Sequence, residues 1–382
     1  MTDYFSSDFT LGILGGGQLG KMLLYDTRKY DIQTAVLDAD PGAPARLACD
    51  HFEQGALTDF NTVYNFGKKV DVLTYEIETV NIDALEKLEQ EGVTVYPQAA
   101  VLRAIQDKGT QKEFYKKHHI PTADFRVFAS AKALSATAPS FPFVWKSCQG
   151  GYDGKGVQVI RSQEMLDELP DIPCIREAMI PFKNELAVIV ARNASGQVIT
   201  YPVVEMEFHP EANQVEYVIC PARIDETIAQ KARKVAEQVS EAFGHVGILA
   251  VELFQTQNDD ILVNEVAPRP HNSGHYSIEG SYTNQFEQHL RAILDLPLGK
   301  TASKAGAVMV NLVGAEGFEG NVTYKNIAEI MAMDGVTPHI YGKKMTRPFR
   351  KMGHVTIIDQ DIHQARQTAE QVKQTIKVVS EV

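Results

Sequence analysis

The chain has 382 residues, of which 44% are hydrophobic and 23% are charged, and its formal net charge at pH 7 is −12. This composition is typical of a globular protein of two or three domains, and the negative charge argues against general affinity for nucleic acids or anionic membranes. The four cysteines are widely separated, and we find neither a run of about 18 apolar residues nor the pattern of a signal peptide. We therefore expect a cytoplasmic protein with reduced thiols.

The first part of the chain alternates between predicted strands and helices. A short apolar strand runs into GGGQLG, Gly15 to Gly20, a helix follows, and Asp38 closes the next strand. These glycines are similar to a dinucleotide-binding fingerprint, although any tight turn from a parallel strand into a helix uses glycine for the same steric reason. Glu76 and Glu78 stand at the end of a later strand, where open α/β sheets place ligands. We predict a doubly wound α/β domain whose first loop faces a ligand, with nicotinamide binding as the alternative.

A glycine-rich segment in the middle of the chain indicates a phosphate-binding loop. It comes after a predicted helical stretch from Ala99 to His119, whose lysines we attribute mostly to a solvated helix face, and after the strand FPFVWKS, which carries Lys146. Backbone N–H groups of the loop CQGGYDGKG can wrap phosphate oxygens, and Lys155 adds a positive charge. A plain glycine-rich hairpin is the alternative, and the loop by itself does not identify its nucleotide.

Two apolar runs of strand length, GILAVELF and ILVNEVA, are joined by the turn residues QTQNDD and predict a β-hairpin. If the turn is centred on Asn258 and Asp259, then Glu252 lies directly opposite Glu265. Two carboxylates so close on one sheet face repel each other unless a proton or a cation lies between them. Magnesium is the simplest candidate, because one or two carboxylates commonly hold it where substrate phosphates complete its shell. The alternative is an exposed hairpin whose glutamates point into water.

Two polar segments follow the hairpin. PRPHNSGH places Arg269, His271 and Asn272 on a rigid loop, and loops fixed on a scaffold are where binding chemistry concentrates. The segment HIYGKKMTRPFRKMGH is rich in lysine and arginine, and no acidic residue occurs between Asp334 and Asp359. In a chain of negative net charge, this basic segment predicts a site for a phosphate monoester, with an exposed turn as the alternative.

The order of these features resembles the ATP-grasp ligases. Taken together, GGGQLG, GGYDGKG, NEVAPRPHNSGH and RKMGH resemble the family of 5-(carboxyamino)imidazole ribonucleotide synthetases over nearly the whole chain. The resemblance implies an α/β fold with an α+β lid, built as three domains. These would be a doubly wound parallel-sheet domain over 1–98, an ATP-grasp domain over 99–296 with a lid at about 122–180, and a small C-terminal domain over 297–382.

The resemblance also implies roles for individual residues. Contacts to ATP would come from Lys108, Lys146, Gly151, Tyr152, Asp153, Gly154, Lys155, Gly156, Val157, Glu177, Ala178, Met179, Ile180, Glu185, His209, Asn264 and Glu265. Bicarbonate and an amine would be faced by Tyr152, Asp153, Lys155, Arg269, His271 and Asn272. Glu252 and Glu265 would hold magnesium, with two ions expected. The ribonucleotide would be bound by Gln18, Glu76, Lys343, Arg350 and Lys351, and Lys344 is an alternative to Lys343.

The implied function is ATP-dependent carboxylation of 5-aminoimidazole ribonucleotide with bicarbonate, through carboxyphosphate, in purine biosynthesis. Small-molecule substrates and a homodimer are the expected partners. Asp153 or His271 could accept the proton of the amine. The alternatives are an ATP-grasp enzyme that activates formate for glycinamide ribonucleotide, a nicotinamide-dependent oxidoreductase and a non-catalytic nucleotide sensor.

Two positions depart from the usual motifs of these families. Ala267 stands where many ATP-grasp proteins have asparagine, so we do not expect a third side-chain metal ligand from this strand. Phe349 stands where the C-terminal motif usually has glycine, and a stiffer phosphate loop is the expected consequence.

Overall fold

The computed structural model describes residues 4–150, 156–209 and 214–381. The elements of the N-terminal part are β1 (Thr10–Leu14), α1 (Gln18–Lys29), β2 (Gln33–Asp38), β3 (His51–Gln54), α2 (Phe60–Gly67), β4 (Val72–Tyr75), α3 (Ile82–Gln90) and β5 (Thr94–Val95). The strands form a parallel sheet in the order β3-β2-β1-β4-β5. Ile13 of β1 packs with residues of α1, whereas Leu14 packs with residues of α2 and α3, so helices cover both faces. The predicted doubly wound domain is confirmed, and its ligand crevice opens beyond the carboxyl ends of β1 and β4.

A small antiparallel sheet follows. Its region contains α4 (Ala99–Gln106), α5 (Lys108–Lys117), β6 (Phe125–Phe128), α6 (Ala131–Ser135), β7 (Phe143–Ser147), β8 (Val157–Ile160), α7 (Gln163–Asp167) and β9 (Cys174–Ala178). The strand order is β6-β9-β7-β8. The stretch predicted as one helical segment is two helices, because Asp107 is extended and its carboxylate caps α5, accepting a hydrogen bond from Thr110 N at 2.9 Å.

The largest sheet of the described residues begins in the next part of the chain. The elements of this part are β10 (Phe182–Arg192), β11 (Val198–Thr200), β12 (Val204–Phe208), β13 (Val215–Cys220), α8 (Glu226–Phe243), β14 (Gly247–Thr256), β15 (Ile261–Ala267), a 3₁₀ helix (Asn272–Gly274), α9 (Ser277–Gly280), α10 (Gln285–Ile293) and β16 (Gly306–Val313). The predicted apolar stripe of α8 packs on this sheet, with Ile228, Ala232 and Val239 buried against Val188 and Leu249.

The C-terminal elements extend this sheet. They are β17 (Gly320–Lys325), α11 (Ile327–Met331), β18 (Val336–Ile340), β19 (Met345–Thr346), β20 (Lys351–Asp359), α12 (Ile362–Thr375) and β21 (Lys377–Ser380). The main strand order is β15-β14-β10-β12-β13-β16-β20-β18, and β19-β17-β21 form a separate sheet. After β15 the chain turns back across the large sheet and contacts β16 and β20, which brings the two polar segments together. Among the described helices, none combines the length and the apolar character needed to cross a membrane.

Candidate active site

The hairpin of β14 and β15 pairs Glu252 with Glu265, as predicted. Nearer the turn, Leu253 pairs with Val263, so the register there differs by one residue from the predicted one. The extra residue, Asn264, forms a β-bulge, and a bulge re-aims side chains that would otherwise alternate between faces. Asn264 Oδ1 accepts a hydrogen bond from Lys146 Nζ at 2.9 Å. The bulge therefore directs both Asn264 and Glu265 toward the lysines of the neighbouring region.

One of the paired carboxylates, Glu252, lies in an environment that disfavours its charge. Burial raises the pKa of Glu252, and the charges of Glu265 and Glu185 raise it further. Burial also raises the pKa of Glu185, to about 7, although Lys146 opposes the shift. A cation between these oxygens would remove the repulsion, so the donor set fits the expected magnesium. In the part of the chain that the structure describes, no group of three or more His, Cys, Asp or Glu side chains could hold a metal alone, so ATP phosphates would complete the shell.

A buried carboxylate organises the lysines beside the hairpin. Glu177 on β9 is 4% exposed, and its two oxygens lie 2.9 Å from Lys112 Nζ and 2.9 Å from Lys146 Nζ. Burial alone would raise the pKa of Glu177, but the two ammonium groups outweigh it and lower the pKa. Lys108, on the same helix as Lys112, places Nζ 3.7 Å from Glu265 Oε2. Three lysines thus surround the place where anionic phosphates would meet the carboxylate pair.

The sequence interpretation missed Lys112. We attributed most lysines of this stretch to a solvated face, but Lys112 is 2% exposed, and burial lowers its pKa to about 8 despite the opposing charge of Glu177. Its ammonium also donates to Thr122 Oγ1 at 2.6 Å. The available signal was the helical spacing, because Lys108, Lys112 and the buried Tyr115 share one face.

The glycine loop connects β7 to β8. Gly151, Tyr152, Asp153, Gly154 and Lys155 lie outside the described residues, so their predicted roles stay predictions. At the base of the loop, Ser147 N donates to Gly156 O at 2.9 Å, and Val157 pairs with Lys146 across the two strands. The loop therefore starts and ends beside the lysine that reaches the carboxylate site.

The segment predicted to contact adenine is only partly a strand. Glu177 and Ala178 end β9, whereas Met179 and Ile180 follow it, and Met179 is 44% exposed. Because both oxygens of Glu177 are paired with lysines, its side chain contacts those lysines rather than being free for a base. The predicted His209 follows β12, and its ring lies 5.8 Å from that of Phe349.

The loop after β15 is held in place from several sides. Arg269 Nη2 lies 2.7 Å from Glu78 Oε1, at the carboxyl end of the parallel sheet. The buried Gln285 side chain, which sequence reasoning missed, accepts from His271 N at 2.8 Å and donates to His271 O at 2.8 Å. The same amide donates to His275 Nδ1 at 2.9 Å. A Cβ at Gly274 would collide with this amide, so glycine is needed there.

His271 faces the carboxylate pair as a neutral ring. Its Nδ1 accepts a hydrogen bond from Ser273 N at 3.3 Å, which leaves the ring proton on Nε2, and Nε2 lies 3.6 Å from Glu252 Oε1. Burial and the charges of Arg269 and Lys351 lower the pKa of His271 well below its ordinary value. His271 is therefore arranged as a hydrogen-bond donor, whereas the sequence left its role as a base open.

Two of the predicted phosphate residues, Lys343 and Arg350, meet the N-terminal domain around a cavity of about 450 Å³, whereas Lys351 does not line it. Its lining residues are Gly17, Asp38, Asp40, Pro41, Gly42, Ala43, Pro44, Lys343, Lys344, Met345 and Arg350. Lys343 Nζ donates to Lys351 O at 2.8 Å, and Arg350 Nη1 donates to Met345 O at 2.6 Å. Both Lys343 and Lys344 line the cavity, so the choice between them stays open.

The GGGQLG turn uses its backbone donors internally. Gly16 N donates to Asp38 Oδ2 at 2.6 Å, Gly20 N donates to Glu76 Oε2 at 2.6 Å, and Gly17 N donates to the same Glu76 carboxylate. Gln18 begins α1 beside these glycines. A dinucleotide would need its pyrophosphate at this helix end, where the Glu76 carboxylate now lies. This geometry disfavours the nicotinamide alternative.

Known proteins match the chain over almost its whole length. A model described as ribonucleotide synthetase preATP-grasp domain matches residues 9–106, an ATP-grasp domain model matches residues 113–286, and a phosphoribosylaminoimidazole carboxylase C-terminal domain model matches residues 307–368. The N5-carboxyaminoimidazole ribonucleotide synthase of Synechococcus elongatus is 39% identical over 91% of this chain and 89% of its own length.

Solved structures agree with these matches. The N5-carboxyaminoimidazole ribonucleotide synthetase from Thermotoga maritima superposes with a TM-score of 0.90 at 42% identity, covering 98% of this chain and 100% of that one. An Aspergillus clavatus N5-carboxyaminoimidazole synthase in complex with ADP and 5-aminoimidazole ribonucleotide gives a TM-score of 0.87 at 34% identity, covering 96% and 98% of the two chains.

The fold and the site define an ATP-grasp ligase, with paired carboxylates and buried lysines beside a glycine loop. Within that class, the chain belongs to the family of N5-carboxyaminoimidazole ribonucleotide synthases, the same family that the four motifs resemble.

Proposed function

We propose that this protein joins bicarbonate to the exocyclic amine of 5-aminoimidazole ribonucleotide at the expense of ATP, forming the N5-carboxylated ribonucleotide, ADP and phosphate. One observation carries the proposal. The loop that carries His271 reaches both parts of the site: His271 Nε2 lies 3.6 Å from Glu252 Oε1, and the ring centroid of His275 lies 4.8 Å from that of His354, on the strand that begins at Lys351. A site for ATP and a site for a ribonucleotide therefore share the loop that carries His271.

In the first step, an oxygen of bicarbonate attacks the γ-phosphorus of ATP, and the bond to the bridging oxygen of ADP breaks. Carboxyphosphate and ADP result. Lys146 and Lys108 lie beside the carboxylate pair, where they would offset the negative charge that spreads over the transferred phosphoryl oxygens. Glu177 holds Lys146 in this position. Magnesium bound by Glu252 and Glu265 would neutralise phosphate charge in the same place.

In the second step, the amine nitrogen attacks the carboxyl carbon of carboxyphosphate. A C–N bond forms, the C–O bond to phosphate breaks, and the departing phosphate takes up the proton that the amine loses. We propose that His271 Nε2–H and Arg269 stabilise the oxyanion that develops on the carboxyl group, because both are donors in this structure. The glycine loop would exclude water, which hydrolyses carboxyphosphate.

The test is release of ADP from purified protein with ATP, magnesium and 5-aminoimidazole ribonucleotide, started by adding bicarbonate. ADP release must depend on both bicarbonate and the ribonucleotide, and its absence would refute the proposal. A parallel reaction with formate and glycinamide ribonucleotide must remain at background, because turnover there would favour the formate-activating alternative. Resemblance to the family further supports a cytoplasmic homodimer. Light scattering on the protein as it elutes from a sizing column would measure its mass and so test the dimer.

A further inference from the structure

A row of three polar residues crosses adjacent strands on one face of the large sheet. Asn311 of β16 is the cross-strand partner of His354 of β20, and His354 is the partner of His339 of β18. The rings of His339 and His354 are stacked, with centroids 4.4 Å apart and planes inclined by 13°. Below, these three residues are called the polar row.

Each member of the polar row contacts one residue of the segment that follows His271. Asn311 and Asn272 exchange two amide hydrogen bonds, each 2.9 Å long. The ring centroid of His354 lies 4.8 Å from that of His275. His339 Nε2 lies 2.9 Å from Glu279 Oε1. The order of the three contacts along the polar row is the same as their order along the segment after His271. Any shift of this segment along the row would therefore break all three contacts.

The other residues of β16 on this face are apolar. Ala307 and Met309, which precede Asn311 at alternate positions on β16, pack in a cluster with Tyr276. Apolar residues would thus be enough to hold the segment on the sheet, and buried polar pairs add little cohesion compared with well-packed apolar ones. What a row of matched polar contacts does supply is a unique relative position.

The contact between His354 of the row and His275 joins two neutral rings. Burial lowers the pKa of His275 to about 3, and it lowers the pKa of His354 well below the ordinary value. Tyr341 Oη lies 3.0 Å from His354 Nδ1 and fixes the orientation of that ring. Two neutral rings do not repel each other, so the contact between His275 and His354 is stable over the neutral pH range.

The polar row joins the two halves of the acceptor site. β20 begins at Lys351, directly after Arg350, whereas the contacted segment begins directly after His271. We propose that Asn311, His354 and His339 are positioning residues, which set the distance between the ribonucleotide's phosphate and the groups that act on its amine. The inference rests on the proposed function, and it predicts that the row affects the ribonucleotide and not ATP.

The test replaces Asn311 with leucine, which keeps the branched arrangement of side-chain heavy atoms and removes the amide pair. We expect kcat/KM for 5-aminoimidazole ribonucleotide to fall about tenfold or more, because a misplaced acceptor loses transition-state contacts. The dissociation constant of ADP, measured by calorimetry, must stay within about twofold of the parent value, since the polar row does not contact the lysines around Glu177. Met309→Leu is the matched control on the same strand and face, and it must behave as the parent.

A second pair of variants protects the test from misfolding. His354→Phe keeps an aromatic ring in the stack, whereas His354→Leu removes it, so the phenylalanine variant must retain more ribonucleotide-dependent turnover than the leucine variant. Parent-like kinetics of Asn311→Leu, or an equal loss of affinity for ADP and ribonucleotide, would overturn the positioning role. If the parent itself shows no bicarbonate-dependent turnover, the proposed function is refuted, and the positioning role is refuted with it. That outcome differs from a parent that is active and an Asn311→Leu variant that behaves like it.

Discussion

Replacing Glu177 with glutamine tests how the ATP-site lysines are held. The substitution keeps the size of the side chain and removes the negative charge between Lys112 and Lys146, each 2.9 Å from one of its oxygens. Both lysines would then be buried or nearly buried without that partner. Breaking a buried ion pair by removing one member typically destabilises a protein by about 3–5 kcal/mol, because the remaining charge is left uncompensated.

Lys112 can release its proton and become neutral in the variant, and this limits its share of the destabilisation. With a pKa of about 8, keeping Lys112 charged at pH 7 already costs about 3 kcal/mol relative to an ordinary lysine. Releasing its proton in the folded protein at pH 7, one unit below this pKa, costs about 1–2 kcal/mol. The added cost from Lys112 is therefore at most about 2 kcal/mol, and loss of the charged hydrogen bond to Lys146 adds about 1–2 kcal/mol.

The expected total is about 3 kcal/mol, which lowers the Tm by about 6–12 °C for a cooperative unit of 150–250 residues. The decrease must become smaller at pH 9. The folded-state pKa of Lys112 lies below its unfolded value, so from about pH 8 upward the unfolded chain binds more protons, and the penalty of burying Lys112 falls. At pH 9 Lys112 is mostly neutral in parent and variant alike, and only the Lys146 contribution separates them.

Differential scanning calorimetry of both proteins at pH 7 and pH 9 measures this difference. Glu168→Gln, which removes an exposed carboxylate from the same region, is the control and must leave the Tm within about 2 °C of the parent. A decrease for Glu177→Gln that is as large at pH 9 as at pH 7 would refute the assignment of the penalty to Lys112. An unchanged Tm at pH 7 would refute the ion-pair account altogether.

Three other substitutions separate catalysis, binding and strain. Glu265→Gln should abolish turnover and leave the Tm near the parent value, because it removes a metal ligand and one of two repelling charges; a collapsed melt would indicate a structural role. Arg350→Ala should raise the KM for the ribonucleotide far more than that for ATP, and equal increases would contradict the phosphate assignment. Phe349 has a φ of 60°, so Phe349→Gly should melt about 2–4 °C above Phe349→Ala; the reverse order would mean that the left-handed conformation carries no strain.

Local patterns in the sequence predicted the elements that carry their own signal. The strand-to-helix turn at GGGQLG, the apolar stripe of α8 and the hairpin of β14 and β15 depend on neighbouring residues, and the structure contains all of them. The family resemblance predicted that positions remote from each other in the chain, such as Lys146 and Glu265, belong to one site. It did not show what holds these side chains in place, because that depends on contacts between elements.

The residues that were missed act through tertiary contacts that no local pattern shows. Lys112 has the composition of a solvated helix face, and only the packing of α5 against β9 buries it. Gln285 lies near the start of an ordinary amphipathic helix, and its role depends on the loop 14 residues earlier that it contacts. Asn311 and His354 become neighbours only through strand pairing, since they are far apart in sequence.

The bulge at Asn264 explains why the hairpin prediction succeeded at the site although the register near the turn was different. If the pairing of Leu253 with Val263 continued without interruption, Glu252 would lie opposite Asn264, and Glu265 would lie opposite Val251. Because strand side chains alternate between faces, Glu265 would then point away from Glu252 and from Lys108. One extra residue returns Glu265 to the face of Glu252 and keeps Asn264 within reach of Lys146. The carboxylate pair that would hold the metal therefore depends on a local irregularity that the alternation of apolar residues does not reveal.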